Sequence, residues 1–354
     1  MKKTIWAVAV IVVIVLIVAI FSPSKVNNKD GTNLVIGADL TLTGGAALFG
    51  ENIKNGMDLA LASTTGIKII YEDSKTTAVD GLAAYNRLRS QNVDLVISDF
   101  SIVSVPLSKV VLEQKVPLLV TMVSANASKI INDFTSRYFS APNEYAEPGF
   151  ISPISPLQKL DNIAVLYRND EFGVAIFDEI KKLSEKYHKN IVYVEAFKPS
   201  ETDFSTIMLK VKNSNADALV YVPAVPGESI AILKMVDQLK FDKPIIEAST
   251  PLSDLTVRAQ VPKIKNLYST SFDFVLPDHA VDFKNMYRSK YGREPNFAAA
   301  FGYDMIKLVN QCQNKKEDVL KCLNSFKELD GVAGLARQLS LGNFSVSLHL
   351  EKVN

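Results

Sequence analysis

Cysteine is almost missing from this chain. There are two residues, Cys312 and Cys322, both near the C-terminal end. No lipid-attachment cysteine can therefore follow the N-terminal segment, and a metal site that wants three or four ligands has too few thiol donors. Histidine is equally sparse: His188, His279 and His349 lie far apart, and no cysteine–histidine or histidine–carboxylate cluster stands out. No G-x-S-x-G segment occurs, so a nucleophile elbow is excluded. An excess of one charge is also missing. The 39 basic and 38 acidic side chains leave a net charge of +1, which argues against a strongly electrostatic nucleic-acid binder. No metal, cofactor or nucleic-acid partner is expected.

What is present is apolar sequence in two arrangements. The chain has 354 residues, 47% of them hydrophobic, enough for two domain-sized cores and an added apolar segment. That segment opens the chain. Lys2 and Lys3 precede an uncharged run at 4–21, the n-region and h-region of an export signal, about long enough to span a bilayer. With the lysines inside, the rest lies outside the cytoplasm. No clean A-x-A site follows in "IVAIFSPS". Residues 1–24 are thus read as a signal peptide or membrane anchor, with an uncleaved anchor favoured. In the oxidising compartment that export implies, Cys312 and Cys322 are expected to form a disulfide between consecutive helices, although two separate thiols fit the same spacing.

From residue 33 onward, short apolar runs alternate with longer amphipathic ones. "NLVIGADL", "IKIIYED", "VDLVIS" and "VPLLVTMV" read as strands, separated by the helical patterns "GENIKNGMDLALAST", "AVDGLAAYNRLRSQ" and "VPLSKVVLEQK". After "SRYFSAPNEYAEPGF" the alternation restarts with "DNIAVLYRND", "NIVYVEAF", "ADALVYVP" and "KPIIEAS". Wholly apolar strands between helices imply parallel sheets covered on both faces. The predicted fold is α/β, with two Rossmann-like lobes whose ligand cleft lies at the carboxyl ends of the strands. "GLARQLSLGNFSVSLHLEKV" alternates around a turn at "LGNF" and reads as a terminal hairpin.

In "DFSIVSVP", Ser104 is expected to cap a helix opened by Pro106. "GAALFGEN" has the glycine spacing of a phosphate loop, but Glu51 and Asn52 replace its Lys and Ser/Thr. Asp39, Glu72, Asp73 and Asp99 end strands without a basic partner and are read as solvated loop acids. No enzyme is expected.

The order "IGADLTLTGGAALFGENIKNGMDLALA", "IIYEDSKTTAVDGLAAYNRL" and "VISDFSIVSVPLSKVVLEQKVPLLVTMVSAN" resembles the first lobe of the leucine/isoleucine/valine-binding proteins. These are type I periplasmic solute-binding proteins of ABC importers. The later segments "IAVLYRNDEFGVAIFDEIK" and "FAAAFGYDMIKL" continue the likeness. The resemblance implies one lobe from 33–142 plus 273–328, a second from 143–272 plus 329–354, and a hinge of three crossings. It implies closure on a small solute, an amino acid or related small carboxylate, and presentation to an ABC permease in the membrane. The same fold also serves ligand-sensing receptors that act with a separate signalling partner.

In such proteins two loops hold the solute carboxylate, and their counterparts here place Ser101 and Ser124. The ammonium side departs from the pattern. Ser249 stands where an acid is usual, with Glu247 two positions earlier; Phe172 and Val225 replace aromatic hydroxyls; Phe49 occupies the first-loop aromatic position. A buried ammonium without an anion is costly. Either Glu247 or Glu228 approaches, or the ligand is not an ordinary α-amino acid.

Overall fold

The computed structural model describes residues 34–199, 201–276, 278–314 and 318–353. The expected signal or anchor at 1–24 lies outside them. Among the described residues no helix is long and apolar enough to cross a membrane.

The first lobe is built on parallel strands β1 (Leu34–Leu40), β2 (Ile67–Asp73), β3 (Leu95–Asp99), β4 (Leu118–Thr121) and β5 (Thr135–Tyr138). They are ordered β5-β4-β3-β1-β2. Helices α1 (Ala47–Leu61), α2 (Ala78–Ser90), α3 (Ser101–Gln114) and the single turn α4 (Ala127–Ile130) connect them. β3 and β4 are buried throughout, as expected of central parallel strands that are apolar except at their carboxyl ends. Thr77 caps α2 by accepting from the Asp80 N–H, and Arg87 and Arg89 sit in its last turn, each favourable to the helix dipole.

Helix α5 (Pro142–Ile151) leads into the second lobe. Its parallel strands are β6 (Asn162–Arg168), β7 (Asn190–Phe197), β8 (Ala218–Val222), β9 (Ile245–Glu247) and β10 (Leu267–Phe272). They are interleaved with α6 (Glu171–Lys186), α7 (Ser205–Asn213), α8 (Pro226–Gln238) and α9 (Leu255–Arg258). The chain then returns to the first lobe through α10 (Val281–Tyr291), α11 (Phe297–Asn314) and α12 (Val319–Ser325). Cys312 of α11 and Cys322 of α12 are bonded, with Cα atoms 5.6 Å apart.

Helix α11 lies directly on α1. A Cβ built on Gly56 would stand 1.9 Å from the Ala299 carbonyl oxygen, and one on Gly302 would stand 2.1 Å from that of Ile53. Only glycine at both positions permits this approach.

The terminal strands correct one expectation, the placement of residues 329–354 in the second lobe. Instead β11 (Glu328–Gly331), β12 (Gly334–Ser340) and β13 (Asn343–Val346) extend the first sheet, with β13 parallel to β5. Only β14 (Leu348–Lys352) crosses over, pairing antiparallel with β10. Alternation reports a half-buried strand, not which sheet edge receives it. The edge is decided by β5, where Arg137 pairs in register with Asn343 and its guanidinium bonds the Asn343 side chain. The chain therefore crosses between the sheets after β5, after β10 and at Ser347. Aromatic rings fill these crossings. Phe139 stands 5.7 Å from Phe272, and Phe272 stands 4.8 Å from Phe297, centroid to centroid.

Candidate functional site

A cavity lies between the lobes at the carboxyl ends of both sheets, where loops from successive strands converge. The first lobe supplies Phe49 from α1, Thr76 after β2, Phe100 and Ser101 after β3, and Met122 after β4. The second supplies Arg168 at the end of β6, Asp170 and Phe172 just after it, Val225 after β8, and Ser249 and Thr250 after β9. Phe139 and Tyr145 close it at the hinge. The lobes are in contact across it, with α3 packed on α6. The enclosed space is about 20 Å³, room for one or two waters.

Three wall residues have left-handed backbones, each in a different loop. Thr76 has φ +62°, Phe100 +57° and Met122 +55°. Such positions cost about 1–3 kcal/mol each and gather where a loop must aim its groups at a site. At Phe100 the turn ends β3 and starts α3 at Ser101, four residues earlier than the sequence pattern suggests. Ser104 is therefore not the cap. It lies in the first turn and donates to the Asp99 carbonyl (3.0 Å), while Pro106 is inside the helix. The N–H groups of Ser101 and Ile102 have no partner among the described residues, and a helix start with free N–H groups favours an anion.

The two serines expected to act together are joined. The Ser124 N–H donates to Ser101 Oγ at 3.2 Å. Ser101 lines the cavity but Ser124 does not; its hydroxyl donates away, to the Ser140 carbonyl (2.9 Å). Phe49, Phe172, Val225 and Ser249 all reach the cavity wall, although Ser249 donates its hydroxyl to the Pro223 carbonyl. Glu247 does not reach it. It is fully buried beneath the wall and accepts from Tyr221 Oη (2.8 Å), Ser229 Oγ, Ser269 Oγ and the Leu252 N–H (2.9 Å). Burial raises its carboxyl to about 7, against these bonds.

The acid side of the cavity is occupied from within the protein. Arg168, at the end of β6, donates from Nη1 to Glu228 Oε1 (3.0 Å) and places Nε 2.7 Å from Asp170 Oδ2. Asp170 also accepts from the Gly173 N–H at the start of α6, and Glu228 from the Ala224 N–H. Arg168, Asp170, Tyr145 and Thr250 are not identified by sequence reading. Arg168 is a lone charge ending an apolar strand, and its partner Glu228 lies 60 residues on; no spacing rule connects them. Tyr145 belongs to a Pro-containing stretch that reads as a boundary. Its buried hydroxyl sits beside those of Ser124 and Thr250 without a hydrogen bond of normal geometry.

Aromatic rings form a continuous series around the cavity: Phe100–Phe49 at 6.2 Å, Phe49–Phe297 at 5.5 Å, Phe139–Tyr145 at 6.4 Å and Tyr145–Phe172 at 5.7 Å. The strand-end acids expected in solvent also need correction. Asp39 and Asp99 are fully buried. Asp99 accepts from the Thr41 N–H and hydroxyl, and both oxygens of Asp39 are without a hydrogen bond. Among the described residues no group of three or more His, Cys, Asp or Glu side chains is placed to hold a metal ion.

The model of the family described as "Periplasmic binding protein" matches residues 34–339. The chain is 26% identical over 224 residues to the Leu/Ile/Val-binding protein homolog 2 of Brucella abortus, an alignment spanning 58% of each chain. Among solved structures, it superposes on the branched-chain amino acid transporter substrate binding protein LivJ from Streptococcus pneumoniae, in complex with isoleucine. The TM-score is 0.78 at 20% identity, covering 91% of this chain and 96% of that one. A solute binding protein of an ABC transporter from R. palustris, in complex with benzoate, gives 0.79 at 16% identity, covering 91% and 93%. With the family model matched across both lobes, this chain belongs to the periplasmic binding proteins and has their two-lobed type I fold.

Proposed function

We propose that the chain is the extracytoplasmic solute-binding component of an ABC importer, acting by binding rather than catalysis. It closes its lobes on a small carboxylate that carries an apolar, preferably aromatic, body and no α-ammonium. The observation that carries this reading is an asymmetry in the cavity. The acids that could receive an ammonium, Asp170 and Glu228, are held by Arg168, whereas the N–H groups opening α3 are free. The carboxylate would sit on Ser101 and those N–H groups. The body would pack against Phe49, Phe100, Tyr145 and Phe172. Closure of this kind is a population shift toward the form that contacts the ligand more tightly. The partner would be a membrane permease, met laterally if residues 1–24 remain as an anchor.

The test is a thermal-shift panel containing benzoate, 4-hydroxybenzoate, phenylacetate, isobutyrate, leucine, isoleucine and benzamide. A ligand at 100 times its Kd adds about 2.7 kcal/mol of stability. Aromatic carboxylates should raise the melting temperature most, and benzamide should not. A larger shift with leucine than with every des-amino acid would overturn the ligand class, and no shift at all would overturn the binding reading.

A further inference from the structure

Arg137 is among the largest fully buried side chains of the protein, 1% exposed. It sits in β5, and among the described residues no carboxylate pairs with it; its hydrogen-bond partners are neutral. Nε and Nη2 donate to Asn343 Oδ1 at 2.9 and 2.6 Å, and Nη1 donates to the carbonyls of Val123 (3.2 Å) and Ala125 (2.7 Å). Burial pulls the guanidinium down to about 10, so it remains charged at neutral pH. A buried cation with no counter-ion is an expense a fold does not normally carry.

The two carbonyls flank Ser124. The peptide unit whose oxygen accepts from Arg137 is the same unit whose N–H, on Ser124, donates to Ser101 Oγ. With that lone pair engaged, Ser101 has its proton left to donate, and among the described residues it donates to nothing. A directed chain thus runs from the guanidinium through the Val123–Ser124 peptide and Ser101 into the cavity. Each hydrogen bond in such a chain polarises the next, and the low-dielectric interior screens the charge little.

We propose that Arg137 is the specificity-determining charge of the cavity, acting through the Val123–Ser124 peptide to make Ser101 and the start of α3 prefer an anionic ligand group over a neutral one. The inference deepens the carboxylate reading and rests on it for the chemistry of the ligand. Arg137 touches no ligand; it is a positioning and polarising residue.

Its test needs no ligand. Ser101→Cys places a thiol where the carboxylate oxygen is received, and both native cysteines are already bonded, so the new thiol reports alone. Its pKa is read from the pH dependence of alkylation. Asn343→Asp then adds a carboxylate against Nε and Nη2 with almost no change of shape, and Arg137→Gln removes the charge. In either background the pKa of the introduced thiol should rise by about one unit, a ten-fold loss of acidity. Where Arg137→Gln fails to fold, Asn343→Asp decides alone. An equal thiol pKa with and without the second substitution would overturn the proposal. A ligand panel in which no carboxylate binds would overturn the functional reading and leave the thiol result standing, so the two failures are distinguishable.

Discussion

The backbone N–H of Ser124 donates to Ser101 Oγ, while the Ser124 hydroxyl turns away to Ser140. The two serines are therefore not equivalent. Ser101→Ala removes a hydroxyl facing the cavity and should weaken a carboxylate ligand about ten-fold or more, since hydrogen bonds to charged groups contribute about 1.5–3 kcal/mol. Ser124→Ala keeps the N–H and should change affinity by less than a factor of three. Calorimetric titration of both single variants checks this; equal losses would show that the Ser124 hydroxyl reaches the ligand.

Asp39 should make the first lobe weaken as pH rises. Burial, with Asp99 next to it, lifts its carboxyl from the usual 3.8 to about 8. Below pH 3.8 both the folded and unfolded chains hold this proton. Between 3.8 and about 8 the unfolded chain has released the proton while the folded chain keeps it, so stability falls across that window until the folded carboxyl also ionises. Asp99, raised to about 7, acts in the same direction. Asp39→Asn should flatten the profile and give the higher urea midpoint at pH 8. A midpoint ratio between variant and parent that stays constant from pH 5 to 8 would contradict it.

The close approach of α1 and α11 at Gly56 and Gly302 sets a steric limit. Gly302→Ala drives a methyl into the Ile53 carbonyl, and α1 must separate from α11. The expected loss is about 2 kcal/mol or more, beyond any gain in helix propensity. Chemical denaturation measures it, and a variant as stable as the parent would mean that the helices are not in this contact.

The Cys312–Cys322 bond closes a small loop, with a sequence separation of 10. In the chain-entropy account a loop of this size contributes about 3 kcal/mol. The double Cys→Ser variant, or the parent in reductant, should melt several degrees lower. Identical melting with and without reductant would argue that the bond does not form.

Much of this fold is legible because periodicity is a local signal. The parallel strands, their helices and the restart of the pattern follow from apolar runs and amphipathic stripes. Five of the seven residues expected at the ligand, Ser101, Phe49, Phe172, Val225 and Ser249, do line the cavity. The remainder depends on long-range geometry. Glu247 lies only two residues from Ser249, and strand alternation would not by itself remove it from the wall; its bonds to Tyr221 and Ser229 draw it into the core. The start of α3 escapes the sequence pattern because Phe100 adopts a backbone that its side chain disfavours. Arg137 and Arg168 each depend on a partner far along the chain, Asn343 and Glu228, that no local pattern reveals.

The embrace of α1 by α11 has a consequence for how the protein is made. The strands β6 to β10 and their connecting helices form one uninterrupted stretch, lacking only the edge strand β14. The first lobe is divided, with α1 waiting for a helix synthesised more than two hundred residues later. During synthesis the second lobe can assemble as soon as it emerges. The first must hold an exposed apolar flank until the chain is almost finished, and it is this N-terminal half that most needs protection from aggregation while synthesis continues.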